Sequence, residues 1–203
     1  MHQEHAADQP ERPGTAEREF APADTLFDRI RHEAALVAAA EALEPLGHPI
    51  WAGLLRDYTI ASDRVLSVHG DAEAATLGWL KPRGIVSLLV TEECSDRHTV
   101  EHLAAALAAM NAVTLTVDDE RSARLRPVID AVVAVLPDAV AELPVRAQSD
   151  YPPGAAAAVL TPTALYRSWA PPTLLSGPAR DEADRVETLT LYGRVRQLDV
   201  RPG

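Results

Sequence analysis

The chain has 203 residues with 30 acidic against 19 basic side chains, a formal charge of −11. That length suffices for one domain with a real core, and that charge speaks against a nucleic-acid surface, which needs a basic face, and against an anionic membrane surface. The single cysteine, Cys94, excludes an intrachain disulfide, and no apolar run approaches the roughly 18 residues of a membrane-crossing helix, so a cytoplasmic protein is expected.

Met1 to Ala21 carries almost no apolar content and has neither an apolar signal core nor an Arg-rich amphipathic pattern. Residues 1–21 therefore read as a disordered tail, and residues 22–200 as a single α/β domain with an N-terminal helical segment over 22–60. Asp24 to Leu43 reads as a helix capped by Asp24, with Leu26, Ile30, Ala34 and Val37 at helical spacing. Ile50 to Tyr58 reads as a second short helix, and Arg64 to Val68 as a short strand.

Leu77 to Leu80 leads through Lys81-Pro82-Arg83-Gly84 into Ile85–Val90, continuously apolar apart from Ser87, the pattern of a strand covered on both faces. Thr99 to Met110 is an alanine-rich helix, Ala112 to Val117 a strand, Asp119 to Leu136 a helix and Val140 to Val145 a third strand. Beyond Tyr151-Pro152-Pro153-Gly154 the pattern loosens. Ala155 to Leu160 suits a strand or a buried helix, Thr163 to Trp169 a short helix, and Glu187 to Leu198 an alternating strand or hairpin with a bend at Gly193.

Two strand–helix–strand units in series imply parallel strands with right-handed crossovers, hence a three-layer α/β sandwich with a mainly parallel, Rossmann-like sheet. Such sheets receive ligands outside the carboxyl ends of their strands, which places residues 91–98 and 118–120 at any site. Asp118 is the cofactor-side candidate, since an acid after the second strand can hold a ribose hydroxyl; its plainer role is to cap the next helix. The loop over 91–98 has no glycine, and its carboxylates would face a pyrophosphate.

Cys94, His98 and Glu93 are the catalytic candidates. A Cys–His pair can serve as nucleophile and base, and the strand-to-helix junction favours a thiolate. Against this, a solvent-facing thiol near two surface histidines, His98 and His102, is the plainer reading. Cys94, His98, His102 and Glu93 could between them share a metal ion, but the order lacks the metalloprotease pattern and no metal is expected. Glu92 and Glu93 are adjacent and point apart, a poor arrangement for paired-acid work. Trp51, Trp79 and Trp169 read as core or interface residues.

From Leu80 to about Arg146 the chain resembles the cofactor domain of the aldehyde dehydrogenase superfamily, most closely the non-catalytic dehydrogenase-like domain of bifunctional proline-utilisation enzymes. Lys81-Pro82-Arg83-Gly84-Ile85-Val86 resembles that family's entry into its first cofactor-domain strand. Ala104 to Val113 resembles its helix ending in Gly-Asn, with Met110 in place of the glycine. Where active members run into Lys-Pro-Ser, this chain has Thr114-Leu115-Thr116-Val117-Asp118, and Thr116 falls on the cofactor-contacting lysine. The oxyanion asparagine after the first strand is unmatched, and no cysteine follows residue 94 to match the nucleophile. The resemblance implies a cut-down, catalytically silent relative.

Two functions follow. One is a structural or protein-interaction module, with a protein partner or self-association through an unpaired edge at Glu187–Leu198. The other is an oxidoreductase-like enzyme binding a small molecule or nucleotide cofactor, with Glu93, Cys94, His98 and Asp118 converging on a pocket. The sequence identifies no cofactor.

Overall fold

The computed structural model describes residues 26–65, 68–70, 75–143 and 152–200. Its centre is a six-stranded sheet of order β5-β4-β3-β6-β7-β8. Strands β3 (Ile85–Val90), β4 (Ala112–Thr116) and β5 (Val140–Glu142) run parallel, as the two crossovers predict, and β6 (Ala156–Leu160) joins β3 parallel on its other side. The Rossmann-like α/β class read from the sequence is therefore the one observed. β7 (Ala164–Arg167) and β8 (Ala170–Leu174) extend it antiparallel. Pro171 and Pro172 lie in the outermost strand, where an unpaired edge tolerates a missing donor.

The crossovers through α3 (Asp96–Ala108) and α4 (Asp119–Val135) both step from β3 towards β5. Two right-handed steps in one direction put both helices on one face of the sheet. Val86, Leu88, Val113, Leu115, Ala158 and Leu160 share a face by register, and all are buried. α3 is buried from His98 to Ala108, with β4 on one side and α2, α4 and α5 around the rest. A helix enclosed on all sides needs small residues where neighbours come close, and its alanines supply them.

α3 ends in a Schellman turn. Met110 adopts φ of 66°, its N–H donates to Leu107 O (2.8 Å) and the Asn111 N–H donates to Ala106 O (3.3 Å). A glycine would take this conformation without steric cost, whereas a methionine holds it against a penalty of about 1 kcal/mol. Asn111 accepts from the Arg83 N–H (2.7 Å) and donates to Ala106 O (3.0 Å) and Tyr192 O (3.1 Å).

Several elements differ from the sequence reading. The proposed cap Asp24 and the tail over 1–21 lie outside the described residues; α1 is described as Leu26–Leu43. α2 runs over Pro49–Val65, well past Tyr58, so Arg64 and Val65 end a helix and the strand β1 is Val68–Gly70. Its buried face continues through Thr59, Ala61 and Ser62, and the Thr59 and Ser62 hydroxyls donate back to Leu55 O and Thr59 O. Two polar residues on the buried face thus hid its continuation.

Thr163–Trp169 is not a helix. Thr161 forms a turn with Ala164, each backbone N–H finding an oxygen of the other residue (Thr161 N to Ala164 O, 2.9 Å; Ala164 N to Thr161 Oγ1, 3.0 Å). β7 then pairs with β6, and sheet pairing overrides local propensity. Glu187–Leu198 is not one strand. Glu182–Tyr192 forms α5, capped by Asp181, whose side chain accepts from the Asp184 N–H (2.9 Å); Gly193–Val200 forms β9.

β9 joins β1 and β2 (Ala75–Pro82) in a second, antiparallel sheet of order β1-β2-β9. A Cβ on Gly193 would run into the Leu80 side chain, which would have to shift, so glycine lets α5 meet this sheet closely. Among the described residues no helix is long and apolar enough to cross a membrane.

Candidate functional site

The carboxyl ends of the parallel strands converge on the loop over 91–95 and on the N-termini of α3 and α4. Ser95 caps α3, its hydroxyl accepting from the His98 N–H (3.1 Å). Asp118 caps α4, its Oδ1 accepting from the Arg121 N–H (2.8 Å). Both acidic first turns complement the helix dipoles.

Arg121 fills the space between the two caps. Its side chain is 4% exposed, and its guanidinium donates to Thr91 O (2.9 Å), Glu92 O (2.9 Å) and Cys94 O, and to the Asp96 carboxylate (3.3 Å). Asp118 Oδ2 stands 3.6 Å away. Arg124 adds a bond of 2.6 Å to Asp96; this hydrogen bond is the largest influence holding the Asp96 carboxyl below its ordinary range. A planar fork of five donors suits three carbonyls and a carboxylate as no lysine would. The loop between strand and helix is thereby fastened from inside.

The four residues singled out from the sequence do not converge. Glu93 and Asp118 line an open depression of about 320 Å³ together with Leu89, Val90, Thr91 and Glu92. Glu93 is exposed, and its own N–H and the Thr91 hydroxyl hold its carboxyl low. Cys94 turns inward: it is 4% exposed and its thiol points to Leu160 O at 3.5 Å. The expectation of a solvent-facing thiol is corrected by this burial, which also pushes the thiol's pKa up and disfavours the thiolate.

His98 and His102 are likewise not surface residues, at 5% and 2% exposure. Their rings meet edge to face at 4.6 Å, as four-residue spacing on one helix predicts. His102 Nδ1 hydrogen-bonds the Tyr192 hydroxyl (2.8 Å), and burial, with His98 adding repulsion, lowers its pKa to about 3. Burial lowers His98 too, against a smaller opposing effect from the Thr161 backbone. Among the described residues no three His, Cys, Asp or Glu side chains are grouped to hold a metal ion.

Three residues central to this region gave no strong signal in the sequence. Arg121 is one arginine among many, and only its place three residues after Asp118 marks it. Glu101 sits at 2% exposure on α3, accepting from Ala179 N–H (2.9 Å) and the Tyr58 hydroxyl (3.3 Å), and burial raises its carboxyl pKa. Tyr192 is fully buried at the end of α5. The signal that was available is a charged residue amid the alanines of an enclosed helix, which demands partners.

No family model matches the chain, and no curated protein matches it. Solved structures with a similar fold include PnpE from Pseudomonas sp. WBC-3 (17% identity, TM-score 0.46). They also include an indole-3-acetaldehyde dehydrogenase of P. syringae in complex with NAD+ (22%, 0.45) and proline utilization A of Bradyrhizobium japonicum (16%, 0.47). Each match covers 57% of this chain and, in the same order, 29%, 29% and 15% of the other. The chain thus spans under a third of the length of these structures. The matches do not set the proline-utilisation protein apart from the other two.

Proposed function

We propose that the chain is a non-catalytic structural or protein-interaction domain on a dehydrogenase-like, Rossmann-type scaffold. The observation that carries this reading is Arg121, whose guanidinium is spent on the carbonyls and carboxylate of the loop after β3. In an open α/β sheet that loop is where a ligand meets the strand ends. Asp96, Glu92, Glu93 and Asp118 surround the region, so a pyrophosphate entering it would face carboxylates at the mouth of α3. Thr116, which stands where the resembled family presents a lysine, is fully buried. The buried, proton-retaining Cys94 is a poor nucleophile. Interaction would be with a protein partner or a second copy, through the edge that begins at Gly193 and not at Glu187.

A second reading has one observation in its favour: the depression beside Glu93 and Asp118 lies where α/β sheets bind small molecules or nucleotide cofactors. Thermal-shift titration with NAD, NADP, nucleotides and divalent metals separates the two. The interaction reading expects no change in melting temperature. A saturable shift with NAD that is lost in Asp118→Asn, a substitution that keeps the helix cap, would replace it with the ligand-binding one.

A further inference from the structure

In the small sheet, Trp79 stands directly opposite Arg196 and Lys81 directly opposite Arg194. Directly opposed residues share a face, so all four side chains lie on one side of the sheet, and all four are exposed. Leu80, at 5% exposure, and Gly193 occupy the other side and pack together. This end of the face, at residues 79, 81, 194 and 196, is thus cationic and aromatic in a chain whose net charge is −11.

Most described arginines, from Arg29 to Arg185, are paired with a carboxylate. Among the described residues Lys81, Arg194 and Arg196 form no ion pair, as is also true of Arg31, Arg83, Arg97 and Arg167, but only here do such cations stand opposite one another in a sheet. Like charges placed directly opposite across strands repel, so Lys81 against Arg194 is an unfavourable pairing as it stands. Arg83 extends the crowding: burial, then Arg194 and Arg167, push its pKa down to about 10. β9 ends the strand order with β2 on one side only, which leaves its other edge of backbone donors and acceptors open among the described strands.

We propose that this edge and face receive an extended acidic segment of a protein partner, added as a strand beside β9 with alternate carboxylates facing Arg194 and Arg196. The proposal rests on the interaction-domain reading and names its partner's chemistry. Strand addition presents every second side chain on one face, so the partner needs acidic residues two apart. Nucleic acid is disfavoured because it has no peptide backbone to pair with the open edge of β9.

The test uses the full chain and a fluorescein-labelled peptide of about ten residues alternating glutamate and threonine, read by fluorescence anisotropy at low salt. Saturable binding is expected, weakening by about tenfold or more in R194E/R196E. The charge-matched control R31E/R97E, at two exposed arginines elsewhere, should change it by less than about twofold. A peptide of the same composition with its glutamates in one block should bind about tenfold more weakly.

If the reversal lowers the melting temperature, R194Q/R196Q carries the same comparison. Absence of binding, equal loss in both variants, no preference for alternation, or tighter binding of a duplex oligonucleotide would each overturn the proposal. None of these outcomes touches the broader reading, which instead falls on an NAD-dependent melting shift.

Discussion

The loop after β3 and the outer face of the β1-β2-β9 sheet treat the same chemistry in opposite ways. At the loop, an arginine is buried and each face of its fork is occupied by a carbonyl or carboxylate. On the sheet, arginines are exposed and opposed to a lysine and a tryptophan. The first arrangement satisfies the molecule internally. The second leaves charge unspent at the surface. The loop at the strand ends is held from inside by Arg121 beside an open depression, and the accessory sheet carries exposed cations.

The largest effect that would sharpen this contrast lies on the enclosed side of α3. Burial holds His102 at a pKa of about 3 against an ordinary value of 6.5. Between those values the unfolded chain binds a proton that the folded chain refuses, so stability is full above pH 6.5 and declines as pH falls towards 3. His98 acts in the same direction. The decline from His102 is on the order of 5 kcal/mol, measurable as a falling urea midpoint, and His102→Gln should flatten it. Glu101 has the opposite sign: burial raises its pKa from 4.5, so its ionisation costs stability as pH rises above that value. Glu101→Gln should remove that cost near neutrality and change little at pH 4. An acid limb unchanged in His102→Gln would mean that the ring is not sealed in.

Next in size is Arg121→Met. It leaves three loop carbonyls and Asp96 short of a donor, and should cost about 3–5 kcal/mol by chemical denaturation. A loss below about 1 kcal/mol would erase the distinction between the fastened loop and the open sheet. Asp118→Ala removes one cap from α4 and should cost about 1 kcal/mol, with Asp118→Asn nearly neutral. The smallest change is expected at the sheet. Arg194→Ala with Arg196→Ala should move stability by no more than about 0.5 kcal/mol, in the stabilising direction if relief of Lys81 dominates. A large loss there would show that the two arginines hold this molecule together and not a partner.

The central fold was legible because parallel strands buried on both faces are written as largely apolar runs, and Ile85–Val90, broken only by Ser87, and Ala112–Val117, broken by Thr114 and Thr116, come close to that pattern. The elements misread were those whose form is set by contacts distant in sequence. Thr59 and Ser62 look like a helix end until their hydroxyls are seen bonding back along α2. Ala164–Arg167 becomes a strand because β6 lies beside it. Leu189 and Leu191, two apart, fit alternation and not one helix face, and only the capping geometry of Asp181 and Asp184 settles α5. At the site, types and positions were readable but directions were not. Glu93 and Asp118 do share a depression, whereas Cys94 and His98 turn inward because their polar atoms have interior neighbours in Leu160 and Thr161.

The side chain of Asn111 bonds residues 83, 106 and 192. Two of these attachments lie at the entry to β3 and in α3, whereas Tyr192 closes α5, 81 residues further along the chain. The Asn111 amide, buried in the folded protein, is therefore fully satisfied only when α5 is docked. Loosening α5 alone would leave that amide hydrogen buried without its acceptor, so α5 and the end of α3 are coupled in one opening event.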